Sequence, residues 1–338
     1  MKEKRMIYYT IGFFFIILIG LKGNDDEYTR LFLRIPTLPL FFSDMEVAIR
    51  NGIVFAFIGS FLKTLNFNSQ GLLFFFSFTS ILIHMKFYRI FTPFYLLAFL
   101  YYLSHEVIFH EWIQIRAGLA SAMVLPMIYN LQLGKKKNFY ILYIISSLIH
   151  YVSILSIILL WLNRPIKIKW LFLGLCSAFI IYFSDFIAIV LANLDNFGLL
   201  PGIVKLYLGW EEYTYHASLL HPKTFQQIIS SFVILLLLST HGKIYKSTIN
   251  QSIINVYIFS TILQIAFNNY AIFAFRFSGH FYSVEPILLT YIILFFRERK
   301  FLVIVSVAFC LIVSYINYGI LTRLEPYNFL LKSESAQW

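Results

Sequence analysis

Arg116, His150 and Arg276 are residue types suited to holding a phosphorylated leaving group and activating an attacking hydroxyl. A guanidinium grips phosphate through two parallel N–H donors and stays charged at any working pH. An imidazole titrates near neutrality and can take a proton from a hydroxyl. All three lie in or at the edge of apolar stretches, where an ionisable side chain costs several kcal/mol and so marks a partnered or functional position. The bland alternatives are a snorkelling anchor for each arginine and a satisfied structural histidine for His150, between Ser147 and Ser153.

The elements that must position these residues follow from composition. Of 338 residues, 59% are hydrophobic, 20% aromatic and only 13% charged, and the mean hydropathy is +0.76. A soluble globular domain is excluded. Apolar runs approach or reach the ~20 residues that cross a hydrocarbon core, near 6–21, 71–85, 92–109, 115–133, 139–162, 170–192, 225–240, 251–272, 282–296 and 301–320. The expected architecture is an all-α polytopic membrane protein of about ten spans. The run 53–65 is too short to cross and is expected to be a re-entrant or interfacial helix. The first run lacks a small-residue cleavage site and reads as a retained signal anchor. No repeat or linker divides the chain, so 1–338 is expected to be one transmembrane domain, with longer hydrophilic connections at about 22–51 and 193–223.

The net charge of +11 does not point to nucleic acid. The basic residues cluster in short connectors (Lys2, Lys4 and Arg5; Lys86 and Arg89; Lys135 to Lys137; Lys243 and Lys246; Arg297, Arg299 and Lys300), the positive-inside pattern of cytoplasmic loops. That pattern fixes depth. Arg116 precedes Lys135 by 19 residues, about 28 Å of helix, and Arg276 precedes Arg297 by 21, about 31 Å; both reach the outer boundary, with His280 nearby. His150 lies 13 residues beyond Lys137, roughly 20 Å up. Asp25, Asp26, Glu27 and Tyr28 follow the first span and emerge on the same side. A lipid-linked diphosphate head group would sit at this level. Ala117, Gly118, Ala120, Ser121 and Ala122 add a small-residue face that lets another helix approach Arg116. One conflict stands: basic clusters flank the single run 139–162, so the chain must break either near His150 or at Asp185, whose charge sits within an apolar run.

Other constellations are weaker. His105 and His110 are five residues apart and do not share a helix face as metal ligands do; Glu106 with His110 reads as a polar pair at a helix end. His216, His221, Glu211 and Glu212 fall in the second outer connection, where solvation is the simplest account. Cys176 and Cys310 read as small core residues, so neither a disulfide nor a cysteine metal site is expected. No cofactor is expected.

The ordered pieces 24–28 (NDDEY), Glu46, 115–120 (IRAGLA), 146–153 (SSLIHYVS) and 276–282 (RFSGHFY) resemble the EpsG-like branch of the Wzy family, bacterial polymerases of O-antigen, capsular and other exopolysaccharide. The sequence departs where Ala117 replaces the family's usual Gln and where NDDEY replaces a Gly-Thr-Asp-Tyr-like motif. The resemblance implies a GT-C-like fold in the cytoplasmic membrane. It also implies an inverting, metal-independent glycosyl transfer on the outer face that joins undecaprenyl-diphosphate-linked repeat units. Arg116 and Arg276 would hold the diphosphate, His150 would orient or deprotonate the acceptor hydroxyl, and Asp25 or Asp26, Tyr28, Glu46 and His280 would contact substrate. Partners would be the lipid-linked oligosaccharide, membrane lipid and a chain-length regulator protein. A flippase for the same glycans, a membrane O-acyltransferase and an O-antigen ligase remain alternatives.

Overall fold

The computed structural model describes residues 2–22, 26–42, 52–199, 202, 204–205, 218–240, 248–296 and 298–324, which form helices and turns with no β-strand among them. In chain order these are α1 (Lys2–Gly20), α2 (Asp26–Arg34), a 3-10 turn (Leu38–Leu40), α3 (Ile53–Thr64), α4 (Ser69–Phe91), α5 (Tyr95–Val107), a π-helical turn (Ile108–Ile113), α6 (Ile115–Ala122) and α7 (Val124–Gln132). There follow α8 (Lys136–Ile149), a 3-10 stretch (Tyr151–Ile158), α9 (Leu159–Leu162), α10 (Ile168–Phe183), α11 (Phe186–Asn196) and α12 (Pro222–Thr240). The last are α13 (Thr248–Ala266), α14 (Ala271–Gly279), a 3-10 turn (Tyr282–Val284), α15 (Glu285–Leu294) and α16 (Arg299–Leu324).

Helix α4 shows how the sequence builds the bundle. Asn68 caps it by accepting the Gly71 N–H, and its 23 residues reach about 35 Å. Leu72, Phe76, Ser80, His84 and Tyr88 recur every fourth residue and are buried, whereas Phe74, Phe75, Phe78, Leu82 and Ile90 are exposed. The polar groups of Ser80 and His84 thus face the bundle interior beside apolar ones, while much of the exposed face is apolar, as expected where lipid covers the surface. Inside the bundle they tie helices together: Ser80 Oγ donates to Glu111 at 2.8 Å, Thr92 bonds Thr290 at 2.7 Å and Tyr291 donates to the Phe91 carbonyl at 2.7 Å. Such bonds are worth about 0.6–2 kcal/mol each within a membrane.

Among the described residues, Ser69–Phe91, Pro222–Thr240 and Arg299–Gly319 are long and apolar enough to span a membrane, and the pair α10–α11, bent by 63°, makes a fourth if counted as one. Further apolar helices, such as Ile53–Thr64 and Tyr282–Leu294, are shorter than a full crossing. Fewer than the expected ten runs form single helices of that length among the described residues, because several apolar runs are interrupted. The run 92–109 ends in a π turn, 115–133 divides at Met123, 139–162 leaves the α conformation at His150, and 282–296 opens with a 3-10 turn. Both positions that the sequence offers for a break over 139–192 leave the helix: α8 ends at His150, and Asp185 adopts the left-handed conformation, φ 49°, between the two limbs of the bend. Its carboxylate accepts a hydrogen bond from the Asn269 amide, the partner its charge requires.

Candidate functional site

The chain breaks at 108–114, at His150 and at 279–284 converge. Backbone that leaves the helix within a membrane bundle is tolerated where protein or a polar cavity satisfies it. Here the three breaks surround one narrow crevice lined by His110, Gln114, Ala117, His150, Arg276 and His280, with Val152, Phe275 and Gly279. Its volume is about 20 Å³, room for about one water molecule.

Each wall has a local cause. The π turn shifts the helix register so that His110 and Glu111 face inward, both buried. The next helix, α6, then passes directly beneath it: a Cβ added to Gly118 would lie 2.6 Å from the His110 carbonyl oxygen and would collide with the Glu111 carboxylate. Only glycine admits this approach. The Glu111 carboxylate is held by Tyr102 Oη at 2.5 Å and Ser80 Oγ at 2.8 Å. Two positions before Gly118, the Arg116 guanidinium sits 5.2 Å from the Phe55 ring centroid, a cation–π contact. Phe55 belongs to the short helix α3, whose start is pressed against α8: a Cβ at Gly52, φ 93°, would lie 2.5 Å from the Ile149 carbonyl oxygen.

His150 closes α8 in an extended conformation (φ −148°, ψ 121°), its N–H still bonded to the Ser146 carbonyl at 2.9 Å. Its ring stacks on Tyr151, with centroids 5.0 Å apart and planes at 19°. Tyr151 Oη in turn accepts from the Arg276 guanidinium at 3.0 Å, so one tyrosine links the histidine to the arginine. Arg116 and Arg276 both lie within Coulombic reach of His150. His280 is buried, with Nε2 2.6 Å from Ser156 Oγ. Outside the spanning helices, His221 packs edge-on against the crevice residue Phe275 at 5.1 Å, and partial burial lowers its pKa from the ordinary value.

Of the residues singled out from sequence, His150, Arg276 and His280 line the crevice, and Arg116 stands beside it through its neighbour Ala117. Tyr28 is buried against Phe55, ring centroids 6.1 Å apart; it supports the shelf under Arg116 rather than the crevice itself. Asp25 and Glu46 lie outside the described residues, as do His216, Glu211 and Glu212; Asp26 opens α2, its side chain outside the description. Among the described residues no group of three or more His, Cys, Asp or Glu is arranged to hold a metal ion.

Three crevice-side residues have no site role in the sequence reading: His110 (taken there as half of a polar pair with Glu106), Gln114 and Tyr151. The first two carried a signal. With Ala117 they fall at i, i+4 and i+7, one helical face, visible only if 108–122 is taken as a single stretch. Tyr151 carried none, because its role depends on the turn at His150.

The sequence model of the EpsG family matches residues 5–329. No curated protein matches, and neither does any solved structure.

Proposed function

The chain belongs to the EpsG family, and from that premise we propose that it is a membrane glycosyltransferase that polymerises undecaprenyl-diphosphate-linked oligosaccharide repeat units into O-antigen, capsular or exopolysaccharide. The observation that carries this reading is the crevice formed where three chain breaks meet, lined by His150 and Arg276, with Arg116 beside it through its neighbour Ala117. We place this chemistry at the outer face of the cytoplasmic membrane, in a GT-C-like bundle of about ten spans.

The growing glycan on its lipid diphosphate is the donor, and the non-reducing sugar of a single lipid-linked repeat is the acceptor. The acceptor hydroxyl oxygen attacks the donor's anomeric carbon from the face opposite the diphosphate. The new C–O bond forms as the bond to the diphosphate oxygen breaks, and the configuration inverts. The diphosphate leaves with the bonding electron pair, and Arg116 and Arg276 stabilise that charge. Preorganised positive groups contribute most at this point. His150 orients the acceptor hydroxyl or takes its proton, and its stacking on Tyr151 fixes the ring plane. Asp25 or Asp26, with Glu46, engages sugar hydroxyls from the outer connection.

A crevice of about 20 Å³ is too small for a sugar diphosphate, so substrate entry must part its walls. Arg276 then exchanges the Tyr151 hydroxyl for phosphate, a stronger, charge-assisted partner.

A deletion strain and its complemented counterpart test the reading on a gel of surface polysaccharide. A ladder that collapses to one repeat, restored by the wild-type gene but not by Arg276→Ala, supports it. Full-length chains stranded on the lipid carrier would instead indicate a ligase, and loss of an acyl group an acyltransferase.

A further inference from the structure

Far from the crevice, at the lysine-bearing end of the bundle, helix α4 separates two apolar grooves. One, about 610 Å³, runs between α4, α7 and α8 along Phe78, Leu82, Ile83, Phe87, Ile141 and Leu142. The other, about 470 Å³, lies between α1 and α4 along Tyr9, Leu82, Met85 and Ile90. Leu82 and Lys86 line both grooves and form the ridge between them.

Polarity within the larger groove is graded. Its Thr79 hydroxyl is satisfied within its own helix by the Phe75 carbonyl at 2.7 Å. Its other polar residues are Lys86, Tyr129, Asn130 and Asn138, at one end, with the Asn138 amide donating to Asn130 Oδ1 at 3.2 Å. Arg89, hydrogen-bonded to the Tyr9 hydroxyl, lines the second groove at the same level. Lys135, Lys136 and Lys137, all exposed, lead into Asn138 at the start of α8, where the helix N-terminus adds positive potential. No acidic residue lines either groove. From Phe78 to Lys86 is eight residues, about 12 Å, close to the ~15 Å hydrocarbon depth of one leaflet.

We propose that the two grooves hold the two acyl chains of one anionic glycerophospholipid, straddling the Leu82–Lys86 ridge with its phosphate at Lys86 and Arg89. Two grooves that fork at one cation fit a two-chain lipid, whereas a single-chain isoprenoid phosphate would fill only one. A basic pocket between membrane helices suits an anionic head group on the side that carries the lysines.

Native mass spectrometry of the detergent-solubilised full-length protein tests this, with phosphatidylglycerol, phosphatidylcholine, lysophosphatidylglycerol and undecaprenyl phosphate supplied in pairwise competition. The expected result is retention of phosphatidylglycerol over each of the other three. Lys86→Gln should lower its retention about five-fold, in line with the contribution of one surface lysine, and leave phosphatidylcholine unchanged. Equal retention of phosphatidylcholine, of the lysolipid or of undecaprenyl phosphate overturns the proposal, as does an unchanged Lys86→Gln profile. The wild-type competition alone decides the matter if that variant fails to fold. Lipid occupancy is read without any glycosyl transfer, so its failure leaves the polymerase reading untouched.

Discussion

Gly118→Ala adds one methyl group at the point where α6 passes beneath the π turn. The new Cβ would stand 2.6 Å from the His110 carbonyl oxygen and 2.8 Å from its carbon, against ordinary contact beginning at 3.4 Å. The two segments must therefore separate by about 0.8 Å, the difference between 3.4 and 2.6. The nearest obstacle, the Glu111 carboxylate, is pinned by Tyr102 and Ser80 and the next is backbone, so neither can swing aside. Overpacking of this kind costs about 1–3 kcal/mol. The segments being pushed apart carry His110 on one side and Arg116 and Ala117 on the other, and a misplacement near 1 Å in a catalytic constellation costs about 10²-fold in rate. In a deletion strain complemented with Gly118→Ala, the expected outcome is protein in the membrane at reduced level and a polysaccharide ladder shortened well beyond that reduction. Gly319→Ala is the control, because a Cβ there meets no atom within 4 Å. It should leave both readouts unchanged. Normal chain length from Gly118→Ala at normal abundance would refute the reasoning that this contact sets the position of Arg116.

Arg116→Lys and Arg276→Lys keep the charge but lose the bidentate grip; polymer formation from purified lipid-linked repeats should fall about 10²–10³-fold for either, with Arg→Ala at least as severe. Tyr151→Phe removes the hydroxyl that holds Arg276 at 3.0 Å but keeps the ring beneath His150, so it should reduce the rate far less than Arg276→Ala; a loss as large as that of Arg276→Ala would contradict the positioning role. The Lys223–Glu285 ion pair at 2.9 Å is buried, with Gln226 also donating to Glu285 at 2.8 Å. Lys223→Met alone should lower stability by about 3–5 kcal/mol by stranding Glu285, while Lys223→Met with Glu285→Leu should recover most of it, as read by thermal unfolding in detergent.

How much of this was legible in the sequence depended on whether a feature was set by composition or by a local break. The apolar runs and the basic connectors mark where helices lie, and helical rise alone puts Arg116, His150 and Arg276 at similar heights. The short helix at 53–64 could be recognised because its apolar stretch is too brief to cross. Asp185 could be flagged because a charge within an apolar run must find a partner, and it finds Asn269. The crevice itself was not legible. His150 ends α8 without proline or glycine nearby, and the π turn at 108–113 is an insertion in register that leaves no mark in composition. Apart from 139–162, where the flanking basic clusters ask for a break near His150 or at Asp185, the apolar runs therefore read as intact spans, although their interruptions are what bring the polar residues together. The helix at 26–34 was hidden for a different reason: it is amphipathic and lies within a connection too polar to resemble a span.

The central claim is that the crevice beside Arg116, His150 and Arg276 opens away from the cytosol and receives the lipid-linked diphosphate. It is tested most directly by placing a single cysteine at Ala117, with Cys176 and Cys310 replaced by alanine, and measuring its rate of labelling by a membrane-impermeant thiol reagent in intact, wall-stripped cells. The account predicts labelling from outside that slows when undecaprenyl-diphosphate-linked repeat units accumulate and returns to its full rate in an Arg276→Ala background. Labelling only after the membrane is permeabilised, or a rate indifferent to the lipid-linked repeat, would contradict it.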